Sequence, residues 1–189
     1  MAHYPLPNHP VAPSLRHSIT PSPVVRTPIA EFLAPTPSWE RCVLEIIMGK
    51  KPRIRPIAIC LIRQGDRLLL HEGVDSVKGI RFGRPLGGGI EFGEHSREAA
   101  IREIREELGA EMAEVEQVGI VESIYMYEGE PGHELVFVYR GRFVDESLYD
   151  RPSLTVTEGK RVFEAHWRSL DELRSGDILL VPKGLWQFL

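Results

Sequence analysis

Residues 88–110 read GGIEFGEHSREAAIREIREELGA, and this stretch decides the fold because it joins a glycine run to the pattern of one amphipathic helix. Four apolar residues share one face of that helix at about 100° per residue, namely Ala100, Ile101, Ile104 and Leu108. We expect this face to pack on a β-sheet. Ser96 is predicted as the N-cap, and Gly109 suits the left-handed position that ends a helix.

Three glutamates, Glu103, Glu106 and Glu107, are predicted to lie on a different face of the same helix. Like charges at this spacing repel by a few tenths of a kcal/mol per pair. They also lie toward the helix C-terminus, where the macrodipole disfavours anions. A sequence that breaks two local rules with the same residues often does so for function. The alternative is a solvated charged face in which neighbouring arginines form surface ion pairs.

Three glycines precede the helix, and Gly87, Gly88 and Gly89 allow the backbone to approach a ligand closely. Taken alone, they also fit a tight turn between a strand and a loop. Together with the carboxylates, they predict a site for Mg²⁺ or Mn²⁺, since these hard cations take oxygen ligands and leave positions for substrate phosphates.

The combined spacing resembles the Nudix box: Gly, five residues, Glu, seven residues, Arg-Glu, an aliphatic, any residue, Glu-Glu, any residue, Gly and an aliphatic. The matching residues are Gly88, Glu94, Arg102, Glu103, Ile104, Glu106, Glu107 and Gly109. Ala110 is small for the last aliphatic place. The resemblance extends over about residues 52–175. It implies an α/β fold of the Nudix type, an α/β/α sandwich with a mixed β-sheet and a loop–helix–loop catalytic motif.

The resemblance also implies roles for individual residues. The divalent metal, Mg²⁺ or Mn²⁺, would be bound by Glu103, Glu106 and Glu107, joined by a backbone carbonyl of Gly87 or Gly88. Arg102 would orient a catalytic glutamate through a bidentate contact, which fits guanidinium geometry. Glu94 would be a structural residue or a secondary contributor to the metal site.

The general base is not decided by the box. Glu106 and Glu107 are candidates within it, and Glu134 and Glu158 are candidates outside it. Glu158 falls in residues 155–160, a predicted loop before the last long strand, where an exposed acid is the competing interpretation. Glu134 is expected to be a surface or salt-bridge residue.

Candidate residues for contact with the substrate lie around the glycine run. Arg81 and Arg84 precede it and are predicted to meet phosphate, together with the backbone of Gly88 and Gly89. Two aromatic side chains on a predicted strand either stack on a base or form one packed face of the sheet, namely Tyr125 and Tyr127.

The implied reaction is Mg²⁺-dependent hydrolysis of the pyrophosphate bond of a nucleoside diphosphate linked to another moiety. Nucleotide sugars, ADP-ribose-like molecules and nucleoside triphosphates all fit this description. The alternative is a non-catalytic nucleotide-sensing module on the same fold. Such modules typically lose the glutamates of the box, whereas this chain has all of them.

Length, composition and net charge argue against several other classes of protein. With 189 residues, the chain is expected to form one domain. Its net charge of −4 argues against a nucleic-acid partner, and no apolar run approaches the roughly 18 residues of a membrane span. Cys42 and Cys60 are expected to be buried free thiols in a reducing compartment, and we predict a cytoplasmic protein. A homodimer is left open.

The chain is predicted to have three parts. Residues 1–37 hold nine of the fifteen prolines and are expected to be a disordered extension. Residues 38–51 form a short connecting segment, within which Met48 is a candidate natural start, and residues 52–189 form the Nudix hydrolase domain. In that domain, hairpins are predicted from residues 55–71 and 117–143, followed by a strand at residues 162–167 and a short helix capped by Ser169.

Overall fold

The first strand of the domain explains its layered architecture. In the computed structural model, which describes residues 53–189, every side chain from Ile57 to Ile62 is at most 1% exposed. A strand buried at consecutive positions must be covered on both faces. This strand is therefore central to the sheet, with a layer above it and another below it.

The described residues form nine strands, two α-helices and two 3₁₀ helices. The strands are β1 Arg55–Gln64, β2 Arg67–Asp75, β3 Ile80–Arg84, β4 Gly87–Gly89, β5 Met112–Tyr127, β6 Glu130–Phe143, β7 Ser153–Glu158, β8 Arg161–Ser169 and β9 Leu179–Leu180. The helices are α1 Ser96–Leu108 and α2 Leu170–Ser175, and the 3₁₀ helices are Glu146–Asp150 and Lys183–Phe188.

The strands form one mixed sheet whose main path runs β5-β6-β1-β2-β3-β9. Strand β4 pairs with β1, whereas β8 pairs with β2 and with β7. The β1–β6 and β3–β9 pairs are parallel, and the other pairs are antiparallel. Because β4 pairs with β1 through Ala58 and Gly88, the glycine run lies directly beside the central strand.

Two apolar clusters cover the two faces of the sheet. Helix α1 packs on one face through Ala100 and Ile104, against Ala58 and Cys60 of β1. Helix α2 and the C-terminal 3₁₀ helix cover the other face with Leu170, Leu173 and Leu185, which pack among residues of β1 and β6. The predicted α/β/α sandwich is confirmed.

Helix α1 has the predicted bounds but a different cap. His95 occupies the N-cap, and its backbone N–H donates to the Glu98 carboxylate at 3.4 Å. Ser96 is already the first helical residue, and its hydroxyl bonds the Tyr139 hydroxyl at 2.6 Å instead. The predicted Ser96 cap is therefore wrong, because this hydroxyl is engaged by the sheet. Gly109 ends the helix with φ 65°, as predicted.

Both predicted hairpins are present, and they differ in how far their two strands pair. Strands β1 and β2 pair only at Arg63–Leu68 and Gln64–Arg67, after which β1 follows β6 and β4. Strands β5 and β6 continue to a two-residue turn at Glu128-Gly129, where both residues have positive φ. Pro131 lies inside the paired region, opposite Met126.

The C-terminal part contains two strands that the sequence did not predict, β7 and the two-residue β9. Residues expected to form a loop belong to β7, up to Glu158, and pair with β8. The short helix α2 has the predicted cap, since Ser169 Oγ accepts from the Glu172 N–H at 3.1 Å and the Glu172 carboxylate accepts from the Ser169 N–H at 2.7 Å.

Several predictions lie outside the described residues, namely those for residues 1–37, 38–51 and Cys42. Cys60 is a buried free thiol, and burial raises its pKa to about 12. None of the helices in residues 53–189 is long and apolar enough to cross a lipid bilayer.

Candidate functional site

The site is built where helix α1 crosses the glycine strand β4. The carboxylate of Glu103 lies directly against Gly88, so that a Cβ at this position would come within 2.5 Å of the Glu103 carboxylate carbon. At Gly87, with φ 129°, a Cβ would collide with the backbone of β1. The two glycines are therefore required by close approach, one to a functional carboxylate and one to the sheet.

Arg102 holds the acidic groups of the site together. Its guanidinium forms a bidentate pair with Glu94 at 2.8 and 3.0 Å and also donates to the Gly89 carbonyl at 2.9 Å. A further nitrogen reaches Glu103 at 2.9 Å and Glu106 at 3.1 Å. The hydrogen bond from Arg102 is the main reason that the pKa of Glu94 falls below its usual value. The bidentate partner is thus Glu94, and the contacts to the metal-binding candidates are single.

Glu107 is distinct from the other two glutamates of the motif. It is only 8% exposed, on the side of helix α1 that faces the sheet, and its carboxylate accepts the Gly87 N–H at 3.2 Å. Burial raises its pKa to about 7, and the negative charge of Glu103 contributes further. The side chain of Glu106, by contrast, is 60% exposed. The three glutamates therefore differ in burial, since Glu107 is enclosed against the sheet while Glu106 is exposed to solvent.

Glu158 lies at the end of β7 and is exposed, yet its charge reaches the site. The Glu158 carboxylate raises the pKa of Glu107 and opposes the fall in the pKa of His71 that burial causes. Arg84 acts on the same two groups with the opposite sign. The fold therefore gathers Glu158 and Arg84 around Glu107, although more than seventy residues separate the two along the chain.

The other residues that were predicted to contact the substrate make contacts within the protein. Arg81 pairs with Glu72 at 3.0 Å, and the same carboxylate also pairs with Arg168. The ring of Tyr127 packs edge-on against Phe82, with ring centroids 5.7 Å apart. Tyr125 lies against Gly132, where an added Cβ would collide with its ring. Tyr127 thus contacts Phe82 but is 44% exposed, and both interpretations of the tyrosine pair stay predictions.

Sequence reasoning missed His71 and misjudged the burial of Glu134. His71 lies on β2 opposite Arg84, contacts Phe163 through tilted rings with centroids 4.1 Å apart, and has a buried Nδ1 without a partner among the described residues. Glu134 forms salt bridges, as expected, but it is only 4% exposed. In the sequence, His71 and Glu134 are polar residues next to apolar strand segments. This pattern is too common to predict that either side chain is buried.

The chemistry of the donor set fits a hard divalent cation. Glu103 and Glu107 place carboxylate oxygens at β4, and oxygen ligands of this kind are those that Mg²⁺ and Mn²⁺ prefer. Across residues 53–189, no group of three or more acidic, His or Cys side chains stands in ligating geometry. Arg102 accounts for this arrangement, because it holds Glu103 and Glu106 while Glu107 turns to Gly87.

Comparison with known proteins agrees with this architecture. The NUDIX domain profile matches residues 52–187, so the chain belongs to the NUDIX family. The family and the fold class predicted from the sequence are confirmed.

The individual relatives are similar to this chain over only part of their length. The NAD-capped RNA hydrolase NudC of Pseudomonas aeruginosa is 30% identical over 122 residues, which cover 65% of this chain but only 38% of that protein. NudC of Pseudomonas fluorescens is 40% identical over 68 residues, 36% of this chain and 24% of that protein. The solved MutT NUDIX hydrolase of Burkholderia pseudomallei is 26% identical, covers 63% of this chain and 85% of its own, and has a TM-score of 0.48.

Proposed function

We propose that this protein is a divalent-metal-dependent hydrolase that cleaves the pyrophosphate bond of a nucleoside diphosphate linked to another moiety. The observation that carries the proposal is the contact between helix α1 and the glycine strand, where Glu103 lies against Gly88 and buried Glu107 accepts the Gly87 N–H. A structural helix–strand contact has no use for two carboxylates at this position, because burying them opposes folding.

The glutamates of the site would bind the metal and accept a proton. Glu103, Glu106 and Glu107 would hold Mg²⁺ or Mn²⁺ beside the backbone of Gly87 and Gly88. The cation would supply positive charge next to the diphosphate oxygens and so stabilise the transition state. A carboxylate takes the proton of the attacking water, and this role stays open between Glu106, Glu107 and Glu158.

Arg102, Arg84 and Arg81 would orient the carboxylates and the substrate, and they would not transfer the proton of the attacking water. Arg102 fixes Glu103 and Glu106 and ties them to the Gly89 carbonyl. Arg84 has a partly exposed guanidinium near Glu107 and would bind a phosphate oxygen. Arg81 would need to leave Glu72 to do so, which makes it the weaker substrate candidate.

The linked moiety is the open part of the proposal. The NudC relatives carry a name that refers to NAD-capped RNA, but the alignment spans about two fifths of the P. aeruginosa protein. NAD-type dinucleotides therefore come first in a substrate panel, together with nucleotide sugars, ADP-ribose and nucleoside triphosphates. An NAD-capped RNA belongs in the panel as a test of the predicted absence of a nucleic-acid partner. The cytoplasmic location and the homodimer stay predictions.

The test is a hydrolysis screen of this panel with Mg²⁺ and with Mn²⁺, with the products identified by mass. We expect cleavage between two phosphorus atoms, dependence on the metal, and loss of activity in both Glu106→Gln and Glu107→Gln. Near wild-type turnover in the double variant would refute the metal site. If the chain is instead a nucleotide-sensing module, the panel compounds bind but none is cleaved.

A further inference from the structure

A second buried carboxylate lies outside the helix α1 site. Glu134 of β6 pairs with Arg55 of β1 across the parallel strands and is 4% exposed. Its Oε1 is enclosed and accepts no hydrogen bond from the described residues. An isolated carboxylate in such a place is strongly unfavourable, so nearby positive charge is needed to keep it there.

Two guanidinium groups provide that charge from different directions. Arg55 Nη1 is 3.6 Å from Glu134 Oε1, and Arg84 Nη2 is 3.9 Å from Glu134 Oε2. Both distances are within ion-pair range but longer than the roughly 2.7–3.2 Å of a hydrogen bond. The carboxylate therefore attracts both arginines without using their N–H donors.

Tyr125 lies beside this buried group. Burial raises the pKa of the Tyr125 hydroxyl, and the charge of Glu134 adds to the rise. The tyrosine ring rests against Gly132, where any side chain would displace it. With the tyrosine at its side, Glu134 has little contact with water, and its attraction for Arg84 is correspondingly less screened.

Arg84 is placed to use its donors elsewhere. It is the last residue of β3, three residues before Gly87, and its side chain is 30% exposed. Within residues 53–189 its guanidinium donates no hydrogen bond, whereas Arg102 donates to Glu94, Glu103, Glu106 and a backbone carbonyl. A guanidinium that is held in place but not saturated can bind phosphate oxygens.

We propose that Glu134 is a positioning residue, which holds the Arg84 guanidinium beside the glycine strand so that its donors face a bound diphosphate. The proposal rests on the proposed function for the presence of the diphosphate. It assigns Glu134 a role through Arg84, and not as the general base considered from the sequence.

The test is a double-mutant cycle on ligand affinity. The probe is α,β-methylene-ADP with Mg²⁺, whose P–C–P bridge cannot be hydrolysed, and its Kd is measured by calorimetry with the full chain. Variants are Glu134→Gln, Arg84→Ala and the double variant. Arg142→Ala is the control because Arg142 pairs with Glu114 in an exposed salt bridge at the far end of the same hairpin. We expect this control to bind like the wild type.

Positioning predicts a specific pattern of non-additivity. Glu134→Gln and Arg84→Ala should each weaken binding roughly tenfold, and the double variant should bind no more weakly than Arg84→Ala alone. A merely structural role lowers the melting temperature but leaves the affinity unchanged, which would overturn the proposal. A loss from Glu134→Gln that persists in the Arg84→Ala background would also overturn it, since Glu134 would then contact the ligand itself.

A second variant keeps the cycle informative if Glu134→Gln does not fold. Glu134→Asp retains the charge, withdraws the carboxylate by about one bond length, and should give a smaller loss that again disappears with Arg84→Ala. The two proposals also fail differently. A wild type that does not bind the analogue overturns the role of Glu134. A wild type that binds it, shows the cycle and hydrolyses nothing in the panel refutes only the proposed hydrolase.

Discussion

Replacing Glu107 by Gln should stabilise the metal-free protein at neutral and alkaline pH while weakening its response to metal. Glu107 is 8% exposed, and burial raises its pKa from an ordinary 4.5 to about 7. Above pH 7 the folded protein must therefore keep a buried negative charge. Glutamine has nearly the same shape, can still accept the Gly87 N–H, and carries no charge.

The magnitude follows from linkage between folding and protonation. A pKa of about 7 in place of 4.5 corresponds to at most roughly 3.5 kcal/mol, at about 1.4 kcal/mol per tenfold change. Between these two pH values the folded state binds a proton that the unfolded state has released. Wild-type stability should therefore fall as pH rises through this window, and the Glu107→Gln variant should lack this fall.

The assay is thermal unfolding in EDTA at a series of pH values from 4 to 8.5. For a domain of this size, we expect the variant to melt roughly 5–10 °C above the wild type at pH 8 and close to it at pH 4.5. Burial lowers the pKa of His71, which makes stability rise with pH in part of the same range. Both proteins contain His71, so the difference between their curves isolates Glu107.

Glu106→Gln is the matched control, because its side chain is 60% exposed and loses little hydration on folding. We expect it to change stability by less than about 0.5 kcal/mol in EDTA. Added Mg²⁺ should raise the melting temperature of the wild type and have a smaller effect on Glu107→Gln. Parallel pH profiles for wild type and Glu107→Gln, with the variant no more stable at pH 8, would refute the argument from burial.

Three further substitutions test the geometry of the site. Gly88→Ala should reduce hydrolysis at least tenfold with a small loss of stability, because its Cβ would displace the Glu103 carboxylate. Arg102→Lys keeps the charge but loses the bidentate pair with Glu94 and should lower stability by about 1–3 kcal/mol, measured by urea unfolding. Glu158→Gln should lower kcat with little change in KM if Glu158 takes the proton, which steady-state kinetics would show.

Each of these has an outcome that contradicts its reasoning. Wild-type turnover in Gly88→Ala would mean that the Glu103 carboxylate is free to move away. An unchanged urea midpoint for Arg102→Lys would show that the exposed part of the network contributes little, as many surface ion pairs do. Full activity in Glu158→Gln would leave the general base to Glu106 or Glu107.

Local patterns predicted the parts of the fold whose causes are local. Helix α1 was recognised because its apolar residues recur at helical spacing and Gly109 stands at its end. Helix α2 was recognised from its N-cap residue Ser169. The capping error at Ser96 has a distant cause, since the Tyr139 hydroxyl that engages it lies 43 residues away.

The strands that the sequence did not predict also depend on contacts between distant segments. Strand β4 consists of three glycines, which have low strand propensity and pair here because β1 lies beside them. Strand β7 was expected to be a loop, and it is ordered by pairing with β8. Pairing between strands depends on neighbours in space, so single-segment patterns cannot reveal it.

By itself, the sequence determined the class of site: three carboxylates one helical turn apart, next to a glycine run, in the register of the Nudix box. These features depend on spacing along the chain, and the helix translates spacing directly into proximity. Only the tertiary structure decided that Glu107 is buried while Glu106 is exposed, and that Glu134 lies behind Arg84. Burial and ion pairing arise from contacts between distant segments, and these contacts give chemically identical glutamates different roles.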